Sequence, residues 1–325
     1  MTATHASDQL TPRVAVVGCG NWGKNLVRNF YNLGHLAMAC DLSPEILQNV
    51  QQNYKGVITT SNFQDILDNP EISGVVISTP SATHYPLAKQ ALLAGKHVYV
   101  EKPIATTCEH TIELFTMAHE RDRILMVGHL LLYHPAVSRL KQLVAEGALG
   151  QIKNIQSDRL NTNLNRPDKN VLWDLAPHDV SMIAFILGQD PEDIVSAIGY
   201  RNREDGLVDD AHIDIVFPND VGGHVHISWV HPVKQVKLVV RGTERTAMID
   251  DTQGTQKLKL FKKGDETTPE EEYPEYLNIE PLKLECQHFI NCMKYGKQAR
   301  SDGMNGYKVV RILELAEQQM ELISV

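Results

Sequence analysis

Arg13-Val14-Ala15-Val16-Val17-Gly18-Cys19-Gly20-Asn21-Trp22-Gly23 decides the fold. A short β-branched run bounded by glycine reads as a buried strand. The G-x-G-x-x-G after it stands where a parallel strand hands over to a helix, which is the context that gives this short motif meaning. Outward from there, residues 22–33 read as a helix and 35–40 as a second strand ending at Asp41. Ser43-Pro44 then signals a new helix start. The alternation continues with helix 61–68, strand 74–78, helix 85–94, strand 97–100, helix 108–121 and strand 124–127. Strands separated by single helices imply an α/β domain with a doubly wound parallel sheet.

After Gly128 the pattern changes. Helix 135–146 is followed by strand-like runs at 151–160, 194–200, 211–217, 221–230, 236–241, 246–250 and 257–261. Turn chemistry at Asn219-Asp220 and Gly242-Thr243 joins successive runs, so an α+β domain with an open, mostly antiparallel sheet is expected. In His224-Val225-His226-Ile227 the two histidines share one face. Helices at 279–295 and 305–323 close the chain. The domain plan is therefore a flexible tail 1–11, a dinucleotide-binding domain 12–128, and a substrate-binding and oligomerisation domain 129–325. The acidic stretch 262–272 reads as a solvated loop.

With 325 residues the chain is long enough for two cores. A net charge of -9 offers no broad basic surface, which argues against nucleic acid or an anionic bilayer as partner. No long apolar run reads as a membrane span and no leader pattern opens the sequence, so a cytoplasmic protein is expected. Five cysteines without C-x-x-C spacing predict reduced thiols, with neither disulfides nor a thiolate-bound metal.

The glycine turn points to a dinucleotide. Gly18 permits the tight turn, Gly20 keeps the pyrophosphate approach open, and Gly23 lets helix and strand come close. Asn21 and Trp22 lie at the helix N-terminus, whose free N–H groups favour anions. Asp41, eighteen residues beyond Gly23, suits the adenosine ribose hydroxyls and would repel a 2′-phosphate, so NAD is preferred over NADP. Glu101-Lys102-Pro103 follows a strand at the carboxyl edge where open α/β sheets bind ligands, and Thr79-Pro80 with His84 follows the neighbouring strand in the same way. His84 equally suits a helix-capping loop. In the second domain Asp174 and His178 stand four residues apart, with Pro177 expected in a helix's first turn, so both side chains share a face. An imidazole there is suited to proton removal near neutral pH, with a carboxylate to orient it. Metal-ligand spacing is missing near this segment, and no metal is expected.

On Gly18 to Gly23, Glu101-Lys102-Pro103 after Ala94-Gly95-Lys96-His97-Val98, and Asp174 with His178, the chain resembles the glucose-fructose oxidoreductase and inositol dehydrogenase family (Gfo/Idh/MocA) from Arg13 onward. The resemblance implies a Rossmann domain beside an open sheet whose free face packs against another subunit as a homodimer or homotetramer. It also implies Lys102 and His178 meeting at the substrate oxygen, and a cis Lys102-Pro103 peptide. Two departures bear on substrate choice: Ala176-Pro177 stands where a glycine is usual before the histidine, and Tyr133-His134-Pro135 replaces aromatic-asparagine-proline. The run Asn170 to Asp179 looks like members that act on nucleotide sugars. That implies oxidation of the C3 hydroxyl of a UDP-sugar such as UDP-N-acetylglucosamine, making a 3-keto sugar for a partner aminotransferase. Arg159, Asn165, Arg166, Trp173 and His178 are the expected substrate contacts. UDP-N-acetylglucosaminuronate or an inositol is the alternative substrate, and a NAD-sensing regulator the alternative of another class.

Overall fold

The structure is a computed structural model that describes residues 11–162, 170–204, 206–262 and 270–324. The polypeptide forms two compact units, one running to Gly128 and including Leu282–Met304, the other comprising His129–Pro281 and Asn305–Val325.

The first unit contains β1 (Val14–Val17), α1 (Gly23–Asn32), β2 (Leu36–Cys40), α2 (Pro44–Asn53), β3 (Ile58–Thr60) and α3 (Gln64–Leu67). It continues through β4 (Gly74–Ile77), α4 (His84–Leu93), β5 (His97–Glu101), α5 (Cys108–Glu120) and β6 (Leu125–Gly128). The strands order as β3-β2-β1-β4-β5-β6, all parallel, so the order reverses between β1 and β4. Val14 to Val17 and Val75 to Ile77 are buried because helices cover both faces of the sheet. In α1, Leu26, Val27 and Phe30 share the helical face turned to the sheet. Ser43 accepts from the Ile46 N–H to start α2, and Thr107 accepts from the His110 N–H to start α5. The expected helix 61–68 shrinks to Gln64–Leu67. Here the Thr60 and Asn62 side chains accept from the N–H groups of Asn62 and Gln64, offering the backbone a turn instead.

The second unit holds α6 (Pro135–Ala145), β7 (Ile152–Leu160), α7 (Val171–Leu187), β8 (Asp193–Arg201), β9 (Asp210–Phe217) and β10 (Val221–Ser228). Then come β11 (Gln235–Gly242), β12 (Arg245–Asp250), β13 (Leu258–Lys262) and β14 (Glu271–Glu272). The chain next forms α8 (Pro281–Tyr295), nearly all of it in the first unit, and finally α9 (Gly303–Gln319) and β15 (Glu321–Ser324). The sheet order is β14-β13-β12-β11-β7-β10-β9-β8-β15. It is antiparallel except where β7 meets β10 and β8 meets β15. β15 replaces the end of the expected helix 305–323; its Leu322 and Ile323 continue an apolar pattern that either element can carry.

Strand alternation gives this sheet two unlike faces. Ala211, Ile213, Ile215 and Phe217 of β9 and Val225 and Ile227 of β10 pack in one core with Val171, Leu172 and Ile183 of α7. Each of the buried Val, Leu, Ile and Phe side chains contributes about 1.5–3 kcal/mol. The intervening polar residues face the other way, half-buried. The cysteines are free thiols, and burial pushes Cys19 up to about 12 and Cys40 and Cys292 up to about 11. Among the described residues no helix is long and apolar enough to cross a membrane.

Candidate active site

In the first unit the reversal of strand order brings Gly18, after β1, beside Ser78 and Thr79, after β4. The glycines are explained by what a Cβ would meet. At Gly18 it would come within 2.6 Å of the Ser78 carbonyl oxygen, and φ there is +81°; at Gly23 it would lie 1.8 Å from the Gly18 carbonyl oxygen. At Gly20 a Cβ meets nothing within 4 Å. Gly18 and Gly23 thus serve the turn, whereas Gly20 borders open space at the N-terminal end of α1, the cradle a pyrophosphate needs. Asp41 directly follows β2 and accepts from the Cys19 N–H at 2.7 Å and the Ser43 N–H at 2.9 Å. The carboxylate is thereby fixed beside the glycine turn, with lone pairs left over for further donors. Asn21 and Trp22 are exposed at the turn.

Glu101, at the end of β5, accepts from the indole N–H of Trp22 at 2.6 Å, from the Tyr99 hydroxyl at 3.2 Å and from the Lys102 N–H at 3.3 Å. It therefore ties the glycine turn to the strand end that carries Lys102. Gly128 makes room for it, since a Cβ there would lie 2.8 Å from a Glu101 carboxylate oxygen. Burial pushes the Glu101 carboxyl above its ordinary range, against the opposing pull of the Trp22 hydrogen bond and the Lys102 charge. Lys102-Pro103 is a cis peptide. His84 is buried, with Nδ1 at 2.7 Å from the Pro103 carbonyl oxygen and Nε2 at 2.8 Å from that of Thr79. Its ring links the loops after β4 and β5, which is a positioning task for the Thr79-Pro80 turn. Sequence reasoning missed Gly128, Tyr99 and Glu285, which is fully buried on α8. A glutamate on the same helical face as Leu282, Cys286 and Phe289 was the available signal.

In the second unit α7 positions Asp174 and His178 one turn apart. Asn170 caps the helix by accepting from the Trp173 N–H at 3.1 Å, and Gly188 ends it with φ 63°. The cap sets the helix start earlier than expected, so Pro177 lies in the second turn, not the first. There it removes the bond the Trp173 carbonyl would accept. Asp174 is buried and accepts from the indole N–H of Trp229 at 3.3 Å, a partner not evident in the sequence. His178 and Trp173 are half-buried. The Arg159 guanidinium is engaged as a fork on fully buried Asp179, Nε to Oδ2 at 2.8 Å and a terminal nitrogen to Oδ1 at 2.9 Å; Ser157 donates to the same carboxylate at 2.7 Å. Asn165 and Arg166 lie outside the described residues. His134 caps α6 through Nδ1, accepting from the Ala136 N–H at 3.2 Å, and places Nε2 3.4 Å from Asp251. Lys257 reaches Asp251 at 2.6 Å. Burial would raise this carboxyl, but His134 and Lys257 outweigh it and hold Asp251 down at about 2. A cleft of about 580 Å³ lies beside His134 and is lined by Lys257, Tyr273, Glu275, Tyr276 and Asn278.

Residues 12–129 match the model described as "Oxidoreductase family, NAD-binding Rossmann fold", and residues 137–248 match the Gfo/Idh/MocA C-terminal domain. The chain belongs to the Gfo/Idh/MocA oxidoreductase family. This Gfo/Idh/MocA protein is 27% identical over 306 residues to a UDP-N-acetylglucosamine 3-dehydrogenase of Acidithiobacillus ferrooxidans, covering 92% of this chain and 94% of that one. The solved structure of an enzyme of that name from the same organism superposes with a TM-score of 0.85 at 24% identity, covering 95% and 97% of the two chains. A 3-ketoreductase of Actinomadura kijaniata, solved with TDP-benzene and NADP, gives a TM-score of 0.85 at 17% identity over 97% and 99%. At these identities the two structures establish the fold. As a family member the protein is an oxidoreductase acting on a CH–OH group, and its first domain is an NAD-binding Rossmann domain.

Proposed function

We propose that the protein oxidises the C3 hydroxyl of a UDP-sugar, UDP-N-acetylglucosamine foremost, to the 3-keto sugar, in the cytoplasm, with NAD preferred over NADP. The reading is carried by similarity to the Acidithiobacillus ferrooxidans enzyme along nearly the whole chain, in a sequence that holds Lys102, Asp174 and His178 at the family's motif positions. The Gly18–Gly23 turn, Asp41 at the adenosine ribose, and the Thr79-Pro80 and Glu101-Lys102 strand ends would hold NAD, which when bound would supply a hydride acceptor for the carbinol carbon. His178 removes the hydroxyl proton as general base, and Asp174, itself fixed by Trp229, orients the imidazole. Lys102 donates a hydrogen bond to the same oxygen and stabilises the negative charge that develops on it. With the Arg159 fork engaged by Asp179, the diphosphate contact falls to Asn165 and Arg166, and Trp173 borders the sugar. The open face of the second sheet is assigned to self-association into a dimer or tetramer. The product's reactive ketone suits an aminotransferase as the next enzyme.

The deciding experiment incubates the protein with NAD and a panel of UDP-N-acetylglucosamine, its uronate, free N-acetylglucosamine and inositols, and follows NADH with mass spectrometry of the product. A mass two hydrogens lower, from the UDP-sugar alone, is expected. Lys102→Ala and His178→Asn should each lower kcat at least about 100-fold while NAD binding persists. Turnover of an inositol in preference to every UDP-sugar would redirect the substrate. NAD binding without turnover on any of these would indicate a sensor.

A further inference from the structure

The polar face of the second sheet carries a group of side chains that the proposed oxidation does not use. Asp210 and His212 alternate along β9 with buried Ala211 and Ile213, so both project from the same face. On β10, His226 stands directly opposite His212, and the two rings stack with centroids 3.9 Å apart and planes 17° from parallel. One carboxylate oxygen joins them: Asp210 Oδ1 is 3.3 Å from His226 Nε2 and 3.7 Å from His212 Nε2. All three ligating atoms lie within 4.8 Å of one another.

These separations have a chemical meaning. A tetrahedral ion with bonds of about 2.0–2.1 Å sets its ligand atoms about 3.3–3.4 Å apart. The two carboxylate–imidazole edges, at 3.3 and 3.7 Å, are therefore at or near that length already; because the rings are stacked, one imidazole must swing out of the stack for both lone pairs to meet at one ion. Asp158 of β7, opposite His226 in register, places a carboxylate oxygen 3.9 Å from His226 Nδ1. That is the side from which a second carboxylate commonly steadies a metal-bound imidazole. In the single chain the three side chains keep 34% (His212), 20% (His226) and 19% (Asp210) of their surface exposed, so a fourth ligand approaches from outside, as water or as a side chain of a second copy packed on this same open face. Neighbouring His224 is engaged separately, by Asp214 at 2.7 Å.

We infer that Asp210, His212 and His226 form a binding site for a divalent transition-metal ion of the zinc class, pinning β9 to β10 on the polar face of the sheet. Two imidazoles and one carboxylate favour Zn²⁺, with Co²⁺ as a close substitute, over Mg²⁺ or Ca²⁺, which take oxygen ligands. The ligands come from two strands, in a D-x-H pair and a histidine fourteen residues later. No contiguous metal motif marks them, and only the antiparallel register brings them together.

The test uses the full chain stripped of metal with a chelator. Titration with Zn²⁺ by calorimetry should give one equivalent per chain, and Co²⁺ should give the visible absorption of a four-coordinate ion with nitrogen and oxygen ligands. Zn²⁺ should also raise the thermal midpoint. His226→Ala, and the isosteric Asp210→Asn, which spares the fold, should weaken Zn²⁺ binding at least about 100-fold. His231→Ala, outside the group, should leave it unchanged. Less than half an equivalent bound, an unaltered isotherm in Asp210→Asn, or equal loss in His231→Ala would overturn the assignment.

Discussion

Glu101 and Glu285 are two carboxyls that share Tyr99 as a neighbour, and the contrast between them shows what one residue reveals and another hides. Glu101 was legible as a site residue because it precedes Lys102 at a strand end. Its contact with Trp22 was not, because the two lie 79 positions apart. Glu285 gave only an amphipathic helix pattern, yet burial and the Glu101 charge push its carboxyl well above the ordinary range. It is therefore neutral in the folded protein at pH values where the unfolded chain has already ionised it. The sign follows: its contribution to stability is full below about pH 4.5 and is lost as pH rises toward the folded value. Across that interval the native state should lose up to about 1.4 kcal/mol per pH unit relative to Glu285→Gln, which keeps the shape and cannot ionise. Urea titrations of both proteins at pH 5 and pH 7 measure it; parallel behaviour would show that Glu285 is ionised in both states.

At the level of elements, strong periodicity was readable and short or competing segments were not. β1 and β5 are apolar runs closed by glycine and by a charged pair, β4 is one opened by Gly74 and closed by Ser78-Thr79, and their limits follow from composition. β3 has only three residues, and β15 shares its apolar spacing with the helix before it. The Gly95-Lys96-His97 lead-in to β5, part of the family likeness, has a mechanical meaning in the structure. Lys96 is buried and donates to the carbonyls of Asn69 at 2.7 Å and Ile72 at 2.8 Å. His97 Nδ1 accepts from the Ile124 N–H at 2.9 Å, joining the starts of β5 and β6. Burial first, and Arg123 second, hold His97 down at about 4. The folded state thus keeps the ring neutral where the unfolded chain protonates it, so this contribution is present above about pH 6.5 and lost as pH falls toward 4. Replacement by Gln should remove a pH-dependent loss of about 3 kcal/mol over that window, read as the difference in denaturation midpoints between pH 7 and pH 4.5. An identical pH response in both proteins would count against it.

For the whole molecule, the doubly wound sheet and the open sheet were visible in the alternation of apolar runs. The return of α8 was not, since nothing local distinguishes a helix that rejoins an earlier unit from one that stays with the later. Its consequence is structural: Phe289 packs edge-on against Phe30 at 6.4 Å and Tyr99 at 5.8 Å, beneath the parallel sheet. A fragment of residues 12–128 should therefore expose that surface. It should show weak near-ultraviolet dichroism, bind hydrophobic dye and unfold without a sharp transition, whereas the intact chain unfolds cooperatively. A sharply melting fragment would show that α8 is dispensable to the first core.

This interleaving also sets an order of events in the cell. Because Leu282–Met304 completes one unit and Asn305–Val325 the other, neither core closes while the ribosome is still making β12 or β13. The nascent chain carries a parallel sheet whose Phe30 and Tyr99 surface lacks its α8 cover through most of its synthesis, and that surface is offered to chaperones and proteases until α8 emerges.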